Sequence, residues 1–178
     1  RGRAMAAKGS VQGAMATVAA SGEEVEKILT QVKGYVIIAG YNTPKQVIIS
    51  GEAEAVGKAV AACRAKSYAA IPLKVSNAFH STLVSSAAEV LRAELLEVNF
   101  HKPEFSVLST ITGTEVERFS VRDNLCRQIL DPVRLFDAVK SAVRRPSPAA
   151  PGRARQALFS DAARRRHRHL RRHRPRGP

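Results

Sequence analysis

Among the side chains able to move a proton or attack a carbon, His80 has the most informative surroundings. It stands near the end of the stretch Pro72-Leu73-Lys74-Val75-Ser76-Asn77-Ala78-Phe79-His80-Ser81, and before it Ile71, Leu73 and Val75 alternate with Pro72, Lys74 and Ser76 as a half-buried strand does. An imidazole just beyond a strand end sits on a rigid support and titrates near neutrality, which suits a general base. A histidine at such a junction also serves as a cap or a buried hydrogen-bonding group, so its position alone leaves both roles open. Cys126, in Asn124-Leu125-Cys126-Arg127-Gln128, has no nucleophile elbow around it, and Cys63 falls on an apolar helical face; both read as free buried thiols, with no metal or redox spacing between them. A hydrolase pairing Cys126 with His80 is the weaker reading. His101 precedes Lys102-Pro103 in a loop, and His167, His169 and His173 stand among arginines that would repel a metal cation.

The elements that must position His80 read from the periodicity. Ala14 to Ala20 is apolar and strand-like, and Ser21-Gly22-Glu23-Glu24 has the serine and glutamate of a capping box. Val25, Ile28, Leu29 and Val32 follow on one helical face, ended by Gly34. Val36 to Ala39 and Gln46 to Ser50 form an expected antiparallel pair around the turn Gly40 to Lys45. Val56, Ala59, Val60 and Cys63 make a second helical face before the strand that leads to His80. The order βαββαβ is that of the ferredoxin-like split motif. Beyond His80, the positions Val84, Ala87, Ala88, Leu91, Leu95 and Val98 predict a helix longer than the previous two, Phe105 to Thr110 a strand, Gly113 a turn, and Arg122 to Leu130 a short helix. Asp131-Pro132 reads as an N-cap with proline at the first helical position, opening a final helix through about Val143.

The net charge of +14 belongs to the end of the chain. Residues 1–143 hold 17 Lys and Arg against 14 Asp and Glu, whereas residues 144–178 hold 12 Arg and one Asp. Whole-chain basicity is therefore no argument for a nucleic-acid partner of the body. From Pro146 the Arg, Pro, Ala, Gly and His composition shows no apolar periodicity and is expected to be disordered; its switch to arginine alone resembles translation in a shifted frame. No apolar run reaches bilayer length and no secretory signal pattern opens the sequence, so the expected location is cytoplasmic, with an organellar origin also open and no membrane partner.

Four motifs in order carry a family resemblance. Gln12-Gly13-Ala14-Met15-Ala16, the hairpin Tyr41-Asn42-Thr43-Pro44-Lys45-Gln46-Val47-Ile48-Ile49-Ser50-Gly51, Ala78-Phe79-His80-Ser81 and Asp131-Pro132-Val133-Arg134 together resemble the malonyl-CoA:acyl-carrier-protein transacylases and the acyltransferase domains of fatty-acid and polyketide synthases, over residues 1 to about 143. The resemblance implies ping-pong transfer of a malonyl group from coenzyme A to the phosphopantetheine thiol of an acyl carrier protein, through an acyl-serine. It puts His80 in the place of the catalytic histidine. It puts Arg1 in the place of the arginine that clamps the malonyl carboxylate, a task for a planar guanidinium. Phe79 goes with the malonyl-selective form of the motif, its ring filling the space an extra methyl would need, and Asn42 is brought near the site by the hairpin. No tightly bound cofactor or metal is implied; other domains of a multidomain synthase are possible partners.

The family's Gly-His-Ser-x-Gly-Glu elbow and its glutamine-glycine loop do not occur in the sequence, so the chain as given is expected to be inactive by itself. The expected architecture is α/β (α+β): residues 1–12 end a core helix and linker, 13–77 form the ferredoxin-like subdomain, 78–143 form the C-terminal part of an α/β-hydrolase-like acyltransferase core, and 144–178 are a disordered basic tail. The rival class is a non-enzymatic ferredoxin-like module whose basic tail binds nucleic acid nonspecifically. It lacks the stacking aromatics that RNA recognition requires on Val36–Ala39 and Gln46–Ser50.

Overall fold

The computed structural model describes residues 12–75, 77–101, 104–116 and 121–144. Strand β1 (Gly13–Val18), helix α1 (Gly22–Leu29), strands β2 (Val36–Thr43) and β3 (Gln46–Glu52), helix α2 (Ala53–Ala65) and strand β4 (Ala70–Pro72) follow one another in the order βαββαβ. Their four-stranded sheet has the order β2-β3-β1-β4, every neighbouring pair antiparallel. Ala16 lies opposite Ile49, which lies opposite Ile38, so one face of the sheet is continuously apolar. Val25 and Ile28 of α1 and Val56, Ala59, Val60 and Cys63 of α2 close over that face in a single buried cluster. The capping box forms as expected: Glu24 N donates to Ser21 Oγ, and the Glu24 carboxylate accepts from Ser21 N at 2.9 Å.

Several boundaries differ from the expectations. Helix α1 stops at Leu29, before Gly34, which instead serves a turn at φ 104° where a Cβ would lie 2.9 Å from Ala55 Cβ. Strand β2 runs on through Thr43 and the turn shrinks to Pro44-Lys45, so Asn42 is a strand residue, placed where the β2–β3 register slips between Tyr41 and Thr43. In β4 the expected alternation does not form: Ala70 is buried against the cluster, Ile71 is 59% exposed and Val75 is exposed, Leu73 is half-buried, and the strand itself is three residues long at the sheet edge.

Beyond His80, a 3₁₀ turn (Thr82–Val84) leads into α3 (Ser85–Glu94), and a second 3₁₀ turn (Leu95–Glu97) ends it. The α-helical part is thus shorter than α2; the long apolar pattern is spread over three helical pieces, with Val98 outside them. Val84, Ala87, Ala88 and Leu91 pack on Ile129 of α4 (Val121–Leu130) as a second buried cluster. The expected strand at Phe105 to Thr110 reduces to one bridge, Leu108 to Glu115, since within the described residues only 114–116 pairs alongside it. Helix α5 (Leu135–Arg144) starts three residues later than Asp131-Pro132 would have begun it. The backbone of Val133 is taken up by the sheet edge instead, in a parallel bridge to Gly40 of β2.

Candidate functional site

The loop bearing His80 is seated on β1 by a close backbone contact. A Cβ on Gly13 would lie 2.3 Å from Ala78 N and 2.7 Å from Ala78 Cβ, so the first residue of β1 must be glycine and its neighbour must be small. Leu73 N donates to Met15 O, carrying the chain from β4 along β1 towards that contact. Ser81 is buried, donates to Ala78 O at 2.6 Å and accepts from Leu83 N at 3.3 Å, which caps the 3₁₀ turn and closes the loop on itself. Tyr35 Oη accepts from Thr82 N at 3.1 Å, adding a tie from the start of the hairpin.

His80 itself has φ 59°, the left-handed region, which costs a non-glycine residue about 1–3 kcal/mol and persists only where its surroundings over-determine it. They do. Its backbone N–H donates to Ile129 O at 3.1 Å and its ring Nδ1 lies 3.0 Å from Asp131 O. A carbonyl oxygen only accepts, so Nδ1 carries a hydrogen, and when the ring is neutral its basic nitrogen is Nε2. That is the tautomer a general base needs.

The segment that supplies both carbonyls is itself fastened on every side. Asp131 N donates to Arg127 O, and its carboxylate accepts from Arg127 Nε at 2.7 Å. Val133 N donates to Ala39 O at 2.9 Å, Tyr41 N donates to Val133 O at 2.7 Å, and Arg134 N donates to Thr110 O. The Arg134 guanidinium stands 5.4 Å above the Tyr41 ring and is paired with Asp137. Burial, and then the hydrogen bond to Glu26, push the Tyr41 phenol above its usual range. The end of α4 and residues 131–134 thus form a strap running to the edge of the sheet, and His80 is tied to it through Ile129 O and Asp131 O.

Of the residues singled out in the sequence, Phe79 is half-buried against the cluster of Val84, Ala87, Ala88, Leu91 and Ile129, beside His80 in the chain. Asn42 is half-buried in β2, one residue past Tyr41 of the strap contact. Arg144, the first residue of the expected basic tail, ends helix α5; Arg1 and residues 145–178, with His167, His169 and His173, lie outside the described residues. Cys126 is buried in α4 and Cys63 in α2, both as free thiols, and burial pushes the Cys63 thiol up, away from the reactive thiolate. His101 is exposed. No group of three His, Cys, Asp or Glu suited to a metal occurs among the described residues, and no helix among them is long and apolar enough to cross a membrane. The carbonyl of Asp131 escaped sequence reasoning, because every residue has a carbonyl and nothing in a side-chain pattern marks the one that will face a ring.

A family model described as the acyl transferase domain matches residues 1–151. The malonyl CoA-acyl carrier protein transacylase of Salmonella typhimurium is 37% identical over 102 residues, 56% of this chain and 33% of that protein. Polyketide synthase GfsA of Streptomyces halstedii is 36% identical over 133 residues, 71% of this chain and 2% of its own length. The crystal structure of the malonyl CoA-acyl carrier protein transacylase from Clostridium perfringens superposes with a TM-score of 0.74 at 30% identity, covering 80% of this chain and 46% of that one. The chain therefore spans about a third to a half of the transacylases it matches.

Proposed function

The chain belongs to the acyl transferase domain family, and from that membership we propose that it forms part of a domain moving a malonyl group from coenzyme A to the phosphopantetheine thiol of an acyl carrier protein. The observation that carries this reading is the bond from His80 Nδ1 to Asp131 O, which leaves Nε2 as the base. Residues 1–178 hold no Gly-x-Ser-x-Gly, so the serine comes from sequence outside them. Its hydroxyl attacks the thioester carbon as its proton passes to Nε2. Collapse of the tetrahedral adduct breaks the carbon–sulfur bond, and the imidazolium returns that proton to the departing coenzyme A thiolate. The phosphopantetheine thiol then attacks the acyl-serine, gives its proton to Nε2, and leaves with the malonyl group while the serine is reprotonated.

The remaining roles follow the same reading. Residues 13–77 are a ferredoxin-like subdomain, for which the order β2-β3-β1-β4 with two helices on one face speaks. Residues 78–143 belong to the acyltransferase core. Arg1 clamps the malonyl carboxylate, the Phe79 ring limits the acyl group to malonyl, and Asn42 lines the approach from the hairpin. The nucleic-acid reading gains nothing from Tyr41, the aromatic on the described strands: it is hydrogen-bonded to Glu26 and covered by Arg134.

The decisive test replaces His80 by Ala in a complete domain that includes the elbow serine. Single-turnover labelling with radioactive malonyl-CoA should slow by about a hundredfold to ten-thousandfold, the usual worth of a positioned base. Undiminished labelling would remove His80 from the chemistry.

A further inference from the structure

Nothing in the sequence marks Arg127, yet it makes two bonds to the residue that faces the His80 ring. Asp131 follows Leu130, the last residue of α4, and its main-chain carbonyl lies 3.0 Å from Nδ1. Its amide donates to Arg127 O at 2.8 Å, and its carboxylate accepts from Arg127 Nε at 2.7 Å. Two arms of the Asp131 Cα are therefore tied to one residue of the helix, and the third arm is the carbonyl. Only rotation about the Cα–C bond could still turn that carbonyl away from the ring. Pro132 restricts this rotation, because a proline ring disfavours helical torsions in the residue before it. Val133 holds the far side of the proline, its N–H on Ala39 O and its C=O on Tyr41 N.

An ion pair four residues apart ordinarily adds a little stability to a helix. This pair differs in what it holds. Asp131 lies beyond the last helical residue, and a carboxylate at a helix C-terminus is disfavoured by the backbone dipoles, where a cation would be favoured. Among the ion pairs of the described residues it is also the least exposed, at 47% for Arg127 and 32% for Asp131, and so the least screened by solvent. An acid that breaks the local rule for a helix end, fastened next to the acceptor of the ring, points to a role at the ring.

We propose that Arg127 is a positioning residue for His80: its carbonyl and its guanidinium together orient Asp131 so that the Asp131 main-chain carbonyl faces ring Nδ1. It acts through Asp131 and not on a reacting atom. Its value to catalysis rests on the acyl-transfer reading, in which the ring must meet the serine hydroxyl in one orientation, whereas the orientation itself is measurable without any acyl transfer.

The test uses the full chain. NMR measures how fast the His80 Nδ1 hydrogen and the His80 amide hydrogen exchange with water, at a pH where the ring is neutral. The ring bonds to Asp131 O and the amide to Ile129 O, so the pair bears on the first and not on the second. Arg127→Ala is expected to speed exchange of the ring hydrogen by about two- to fivefold, the factor that a partly exposed ion pair supplies, and to leave the amide at the wild-type rate. Asp131→Ala keeps the main-chain carbonyl while removing the carboxylate, and should give the same rise. The double variant Arg127→Ala, Asp131→Ala should rise no further, because the two side chains act as one device. As a control, Arg92→Ala removes the pair that joins α3 to Asp123 of α4 and should leave the ring hydrogen unchanged. Four results overturn the proposal: a ring hydrogen indifferent to Arg127→Ala, ring and amide rising together as the whole end of α4 loosens, a second rise in the double variant, or an equal rise with Arg92→Ala. If the ring responds as expected while His80→Ala leaves malonyl labelling intact, the positioning stands and the acyl-transfer role of His80 falls.

Discussion

At His80 the backbone and the ring are held by the same short stretch, Ile129 O on the amide and Asp131 O on Nδ1. The left-handed backbone turns the ring towards the strap, and the carbonyl fixes the hydrogen on Nδ1; in both contacts the partner is a main-chain carbonyl that no motif would display. The neighbouring motif residues have structural work. Ala78 is small because it rests on Gly13, and Ser81 is a cap. Gly13→Ala should therefore cost about 1–3 kcal/mol of stability, as overpacking does, measured as a lowered denaturant midpoint. It should also shift the His80 ring resonances, because the intruding methyl pushes on the loop that carries them. An unchanged midpoint would mean that the loop moves aside freely and that β1 does not position it.

Two elements carry their own predictions. The first is the start of α1, where the Glu24 carboxylate accepts from Ser21 N, Ser21 Oγ and Tyr68 Oη at 2.7–2.9 Å, tying the helix cap to the turn before β4. The Ser21 hydrogen bonds, followed by that of Tyr68, lower its pKa from 4.5 to about 2. A carboxyl depressed in the folded state adds stability that is fully present above its unfolded value and is lost as pH falls through the folded one. The wild type should accordingly lose stability between pH about 4.5 and about 2, and Glu24→Gln should flatten that part of the profile; the site is fully exposed, so solvent screening keeps the difference small. Urea unfolding across that range checks it. The second element is the strap. Val133→Pro removes the N–H that bonds Ala39 O, and should lower stability by about 1–3 kcal/mol for the stranded carbonyl. Amide exchange at Tyr41 should rise with it, whereas a merely local loss at residue 133 would leave Tyr41 protected.

For the molecule as a whole, the reading separates a base from its nucleophile. Residues 1–178 incubated with radioactive malonyl-CoA should retain no label after denaturation, and stable label on this chain would place a nucleophile within it. Much of the fold was legible in advance, because the capping box at Ser21 and Glu24 and the apolar faces at Val25 and Ile28 and at Val56 to Cys63 are local patterns whose period states which side is buried. His80 was legible through its motif. Phe105 to Thr110 was not legible: an extended run becomes a strand when a neighbour pairs with it, and that depends on other parts of the chain. Asp131-Pro132 misled for the same reason, since proline suits a helix start equally well as an extended segment, and the edge of β2 decided between them by bonding Val133. By itself, then, the sequence determined the βαββαβ order, the buried faces of α1 and α2 and the identity of the candidate base. Tertiary structure alone decided which nitrogen of that base carries the hydrogen, because the deciding partner is a main-chain carbonyl 51 residues away, brought there by packing and invisible to any pattern of side chains.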